Sequence, residues 1–218
     1  MSVNRLEIDL NKLEYNLKQI KQCVGKNIEL LPVIKANAYG LGAVALRDVL
    51  EKNKINYVAV AMIKEAVELR ENGFKMPIMV LNEILECEVE DIIKYNLTAG
   101  ISTYEIAEKI NNYAEKNNTI AKVHIKIDTG MGRVGLIATD SSEFEKDIST
   151  IEKINGLKNI EIEGIYTHIY NALNKKHYEE QVERFKNVTK KIDIRNIKIV
   201  HISASEATMN YPKLDFAN

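Results

Sequence analysis

The sequence predicts an α/β protein built on a TIM-type (β/α) barrel that is incomplete as written. Three observations carry this reading. Short β-rich runs alternate with helical runs along most of the chain, the pattern of a parallel sheet with right-handed crossovers. Reactive side chains stand where those strands end: Lys35, then Asp128 and Arg133, then His168, then His201, Ser203 and Ser205. In a closed ring all such ends share one rim, whereas in an open doubly wound sheet they are spread apart. Finally, residues 121–128 place Val123, Ile125 and Ile127 on one face and His124, Lys126 and Asp128 on the other. A barrel strand packs its outer face on helices, so the polar set is expected to point inward.

The elements follow in order. Residues 5–10 alternate, with Leu6, Ile8 and Leu10 on one face, which predicts a short half-buried strand. Asn11, with Glu14 three residues on, reads as the start of a helix that Gly25 stops. Strands are expected at 31–35, 57–62, 77–81, 97–101, 121–128, 160–167 and 197–202. Helices are expected at 41–53, 64–72, 86–95, from Ser102 to about residue 117, from Ser142 to residue 156, at 175–192, and as a last turn at 205–210. Seven strands leave the ring one short of eight, with unpaired edges.

The chain has 218 residues, enough for a substantial core, and its 30 Lys and Arg balance 31 Asp and Glu. With no basic excess to neutralise phosphates, nucleic acid is not an expected partner. No apolar run reaches membrane-spanning length and no signal peptide is visible, so no membrane partner is expected and the location is read as cytoplasmic. Cys23 and Cys87 are too few for a disulfide framework or a zinc site.

The chemistry is read first from residues 33–42, Val-Ile-Lys-Ala-Asn-Ala-Tyr-Gly-Leu-Gly. Lys35 leaves an apolar strand at the edge of the core, where partial burial favours a neutral amine that can attack an aldehyde. Tyr39, in the turn that follows, is placed to donate to a phosphate beside backbone N–H groups. Residues 126–135, Lys-Ile-Asp-Thr-Gly-Met-Gly-Arg-Val-Gly, contain G-x-G-x-x-G after a strand. Residues 40–45 give G-x-G-x-x-A, with Glu65 near the distance of a ribose-binding acid. A dinucleotide site therefore competes, but it gives Lys35 and Arg133 no role.

These runs, with Gly164 to His168 and His201 to Ser205, resemble four segments of the alanine racemase family, which depends on pyridoxal 5′-phosphate (PLP). The resemblance implies that Lys35 is the Schiff-base lysine and the proton carrier for one face of the substrate. It implies that Tyr39 and Ser205 bind the PLP phosphate, that Arg133 donates to its phenolic oxygen, and that His168 packs on the pyridine ring. Lys126 keeps the spacing of a lysine that can be carbamylated in the family; an ordinary lysine paired with Asp128 or another carboxylate is the competing reading. Ala204 stands where the family usually has Asn. The implied activity is interconversion of L- and D-alanine for cell-wall precursors, by a homodimer in the full-length protein. A serine racemase of the same family and a non-catalytic single-domain PLP-homeostasis barrel are the alternatives.

The resemblance also implies parts beyond Asn218: an eighth strand and a β-rich C-terminal domain that supplies the second base. The expected domains are therefore residues 1–10, a strand packing with that missing domain, and residues 11–218, the PLP-binding barrel. A chain of this extent is expected to be a fragment, inactive alone as a racemase.

Overall fold

The computed structural model describes residues 4–138, 141–192 and 197–212. Helix α1 (Leu10–Val24) opens the fold, and its N-cap is Asp9, whose carboxylate accepts from the N–H groups of Asn11 and Lys12. No strand forms among residues 4–9, and Leu6 stays 73% exposed. The alternation there has no partner ladder to bury against, while Asp9 satisfies helix donors locally, and the local interaction wins. Residues 1–3 of that expected strand lie outside the described residues, as do 213–218.

The strand expected at 31–35 shrinks to one parallel bridge between Val33 and Ala59. The Ala59 N–H donates to the Pro32 carbonyl at 2.9 Å, and the Ile34 N–H donates to the Ala59 carbonyl at 2.8 Å. Pro32 has no N–H to lengthen the ladder. The next segment, α2 (Lys35–Tyr39), turns away at once. A 3-10 turn (Val44–Leu46) and α3 (Arg47–Lys52) stand where one longer helix was expected.

The sheet strands are β1 (Val58–Val60), β2 (Ile78–Val80), β3 (Thr98–Ile101), β4 (Ala121–Asp128), β5 (Leu136–Ile137), β6 (Ile160–Thr167) and β7 (Ile199–His201), and every pairing is parallel. Their order is β1-β2-β3-β4-β6-β7, with the unexpected β5 added to the end of β4. Between them run α4 (Ile63–Glu71), α5 (Val89–Lys94), α6 (Tyr104–Lys116), α7 (Ser141–Asn155) and α8 (Lys175–Lys191), with α9 (Ser205–Asn210) after β7. Thr103, not Ser102, caps α6; the Ser102 hydroxyl donates to Glu83 instead. The side chain of Ser142, expected to cap α7, lies outside the described residues.

The order never reverses, so the sheet lacks the switch point of a doubly wound fold. It also curls. The Tyr57 hydroxyl, just before β1, lies 3.0 Å from Glu163 on β6. In a flat sheet four strand steps would separate them by roughly 19 Å, at about 4.8 Å per step. The architecture is thus an incomplete TIM-type barrel: among the described residues no ladder joins β7 to the Val33 bridge. The outer face carries the main core, where Val123, Ile125 and Ile127 are buried with helix residues such as Ala107, Ile110 and Phe185. Each Val, Ile or Phe side chain so removed from water contributes about 1.5–3 kcal/mol. Inside the curl, Ala59, Met79 and Tyr166 form a separate small cluster. His124 and Lys126 are buried on that inner side, at 1% and 6% exposure, as the alternation of β4 predicted.

Candidate active site

Parallel strands in one curled sheet send all their C-terminal ends to one rim. Lys35 follows the first bridge, Arg133 follows β4, His168 follows β6 and Ser205 follows β7.

The Lys35 turn has an unusual backbone. Ala36, Asn37, Ala38 and Tyr39 all have φ between 50° and 55°, so a left-handed turn runs through four residues without a glycine. Each such residue costs about 1–2 kcal/mol relative to the right-handed form. Local bonds offset this. The Asn37 side-chain oxygen accepts from the Ala43 N–H at 2.8 Å, and the Asn37 carbonyl accepts from the Gly42 N–H at 2.9 Å. Glu65 accepts from the Ala36 N–H at 2.6 Å. Its other oxygen takes the N–H groups of Ala61 and Met62. Backbone donors thus occupy the Glu65 carboxylate, which removes the ribose-binding role considered for it.

Asp128 organises the Arg133 loop in the same manner. Its carboxylate accepts from the N–H groups of Gly130, Gly132 and Arg133 at 2.8–3.1 Å. Burial alone would raise its pKa, but these donors, with Met131, bring it below the usual value. Gly135 allows the return: a Cβ there would lie 2.5 Å from the Asp128 nitrogen.

Asp128 is therefore occupied and does not pair with Lys126. Among the described residues Lys126 makes no ion pair or hydrogen bond, and its ammonium lies 5.8 Å from the centre of the Tyr166 ring. Burial lowers its pKa and the Arg133 cation lowers it further, against smaller opposing effects of Glu83 and Asp128.

His168 brings the rim together. The residue is exposed, yet the atoms around its ring exclude enough water to lower its pKa, and Arg133, Lys126 and Lys35 each lower it further. The positive charge felt at this imidazole thus comes from the Lys35 turn and from β4 with the loop that follows it. Tyr39 is 66% exposed and Ser205 is exposed at the start of α9; neither hydroxyl takes part in a hydrogen bond among the described residues. They share the rim, but the structure does not bring them into contact with the other four. Ala204 caps α9 without any side-chain bond.

Beneath the rim lies a polar layer that sequence reasoning missed. His124 Nδ1 is 2.8 Å from His201 Nε2, and His124 Nε2 is 3.4 Å from Glu163. Glu163 also accepts from Lys122 and from Tyr57, whose hydroxyl in turn reaches Thr98 at 2.6 Å. Tyr166 stacks on His201 with ring centres 4.7 Å apart. The ladder between β4 and β6 slips at Glu163, so that Val123 faces Ile162 but His124 faces Gly164. That extra residue turns Glu163 and Tyr166 to the same interior. The visible signal was the break from Glu161 and Glu163 to Gly164 within a strand.

A curled parallel β/α sheet that presents a lysine turn, an arginine loop and a histidine on one rim defines an incomplete β/α barrel with basic side chains at its mouth. Comparison with known proteins makes this specific. The alanine racemase N-terminal domain model matches residues 8–217. Alanine racemase 1 of Clostridium acetobutylicum is 41% identical over 214 residues, 96% of this chain and 54% of the relative. Alanine racemase of Clostridium tetani is 41% identical over 213 residues, 95% of this chain and 53% of the relative. The solved alanine racemase of Clostridium difficile 630 superposes with a TM-score of 0.87 at 37% identity, covering 93% of this chain and 53% of that one. Its complex with cycloserine gives 0.88 at 38%, covering 94% and 56%. The chain belongs to the alanine racemase family, through that family's N-terminal domain. It spans about half the length of the curated relatives it matches.

Proposed function

We propose that this chain is the PLP-binding barrel of an amino-acid racemase that interconverts L- and D-alanine. The observation that carries the proposal is that Lys35, Arg133 and His168 follow three parallel strand positions of one curled sheet and so share one rim. An amine among cations with no carboxylate paired to it fits a cofactor that is both an aldehyde and a phosphate ester. PLP, when bound, supplies the electron sink that makes the substrate Cα–H acidic.

The residues of this chain divide the work. Lys35 anchors the aldehyde carbon and moves a proton at Cα on one face. Tyr39 and Ser205 donate hydroxyl hydrogen bonds to the phosphate, and their unengaged hydroxyls are available for it. Arg133 donates to the phenolic oxygen. His168 lies against the ring, and its lowered pKa keeps it uncharged near neutral pH. Lys126 is the carbamylation candidate: burial and the Arg133 charge favour its neutral form, and that form can add to carbon dioxide, release one proton and become an anion. The full enzyme is proposed to be a cytoplasmic homodimer that supplies D-alanine for cell-wall precursors. Among the described residues no helix is long and apolar enough to cross a membrane.

The test is an absorbance spectrum during PLP addition, followed by borohydride reduction and peptide mass analysis. The expected result is a visible band and a phosphopyridoxyl group on Lys35, both lost in Lys35→Ala. A band that survives the substitution would overturn the site.

A further inference from the structure

Glu65 has no role in the reading above, yet it touches the residue next to the proposed anchor. We propose that Glu65 is a positioning residue that aims the Lys35 amine by clamping the left-handed turn that follows it. The inference rests on the proposal that Lys35 captures PLP.

The backbone is fixed on both sides of Lys35. On the N-terminal side, Ile34 donates to Ala59 of β1. On the C-terminal side, Ala36 donates to Glu65 Oε1 at 2.6 Å. Glu65 Oε2 meanwhile accepts from Ala61 at 2.9 Å and Met62 at 3.0 Å, where β1 passes into α4. One half-buried carboxylate thus joins the lysine turn to the same strand–helix unit that holds Ile34. A lysine side chain has four rotatable bonds, so the direction of its amine depends on how firmly its own backbone is held. The turn needs holding, because Ala36, Asn37, Ala38 and Tyr39 all occupy a conformation that L-residues disfavour. A carboxylate suits the task because both oxygens accept. An amide has one acceptor oxygen and an NH2 group that would face an N–H.

A simple helix-cap role makes a different prediction. The cap uses Oε2 alone, at Ala61 and Met62, and leaves Ala36 uninvolved. Glu65→Gln separates the two roles, because its single carbonyl can serve the two-donor cap while its NH2 turns toward Ala36.

The experiment compares wild type with Glu65→Gln, and with Glu65→Asp should the glutamine variant not fold. Two quantities are read: hydrogen exchange of the peptide containing Ala36 without PLP, and the rate of Lys35 capture of PLP and of pyridoxal, trapped by borohydride. Glu65→Gln is expected to raise exchange and to slow capture of both aldehydes by about tenfold, the effect of one lost hydrogen bond to a charged group. The two aldehydes should slow alike, since the clamp acts on the amine and not on a phosphate. Glu65→Asp, with a shorter reach, should slow capture in the same direction. Capture at the wild-type rate in either variant would overturn the inference and leave the PLP reading standing, as would slowing of PLP alone. A wild-type chain that captures neither aldehyde at Lys35 would overturn the PLP reading, and the inference with it.

Discussion

Glu163 sits inside a curled sheet, its side chain only 7% exposed, and it remains ionised because of what surrounds it. The His124 bond is the largest effect; burial opposes it; Lys122 and Tyr57 add to it, and together they hold the carboxyl pKa down at about 2. Burial pushes His201 well below the usual histidine value, and His124 pushes it further. The consequence for stability has a definite sign. Between about pH 4.5 and 2 the unfolded chain carries a proton on this group and the native one does not, so stability rises with pH across that window. The contribution is complete above pH 4.5, on the order of 3 kcal/mol, and is lost as pH falls toward 2. Denaturant melts of wild type and Glu163→Gln from pH 6 to pH 2 check it. The variant is expected to be less stable at pH 6 and to show a shallower acid dependence below pH 4.5. Parallel curves would place the acid dependence elsewhere.

At the scale of elements, the slip in β6 is what admits the His124 ring. A Cβ on Gly164 would come within 2.6 Å of the imidazole, which is closer than any relaxed contact. His124 is 1% exposed and bonded at both nitrogens, so it cannot move aside without breaking those bonds. Gly164→Ala is therefore expected to destabilise the fold by about 1–3 kcal/mol, the usual range for overpacking a filled interior. Gly156→Ala, where a Cβ would come no closer than 3.3 Å to a carbonyl, is the comparison. A thermal melt of each decides it; equal melting temperatures would mean the ring has room. Elements governed by their own periodicity were legible in the sequence: β4, β6 and α9 fall at the residues the patterns marked. Elements decided by distant partners were not. Residues 5–10 alternate like a strand but have no ladder to join, and Asp9 caps a helix instead. The turn after Lys35 was legible as a turn, but its left-handed course was not, because the bonds that hold it come from the Asn37 side chain and from Glu65, twenty-nine positions from Ala36. The rim was legible, since its residues sit at strand ends. Of the layer beneath, the inward face of His124 was legible from β4, but the place of Glu163 was not, because the slip there changes which residues of β6 face inward.

At the scale of the whole molecule, curling a sheet in chain order brings the strand ends that carry Lys35, Arg133 and His168 to one rim, although Lys35 and His168 stand more than a hundred positions apart. It gathers them from one side. Lys35 follows the first bridge of the ring, and on the proposed function its amine would meet a substrate Cα from a single face. Inversion of a stereocentre needs a proton removed on one face and delivered on the other. On the proposed function, the 218-residue chain supplied with PLP should therefore manage half of the reaction. In D2O with each alanine enantiomer in turn, it is expected to wash out the Cα proton of one enantiomer with retention and to leave the other untouched. Proton NMR follows the loss of the Cα signal, and chiral chromatography reads the configuration of the product. Lys35→Ala should stop the exchange. Opposite enantiomer accumulating as fast as deuterium enters would mean that a second acid–base group already stands across the mouth in this chain. The one-faced assignment of Lys35 would then be wrong.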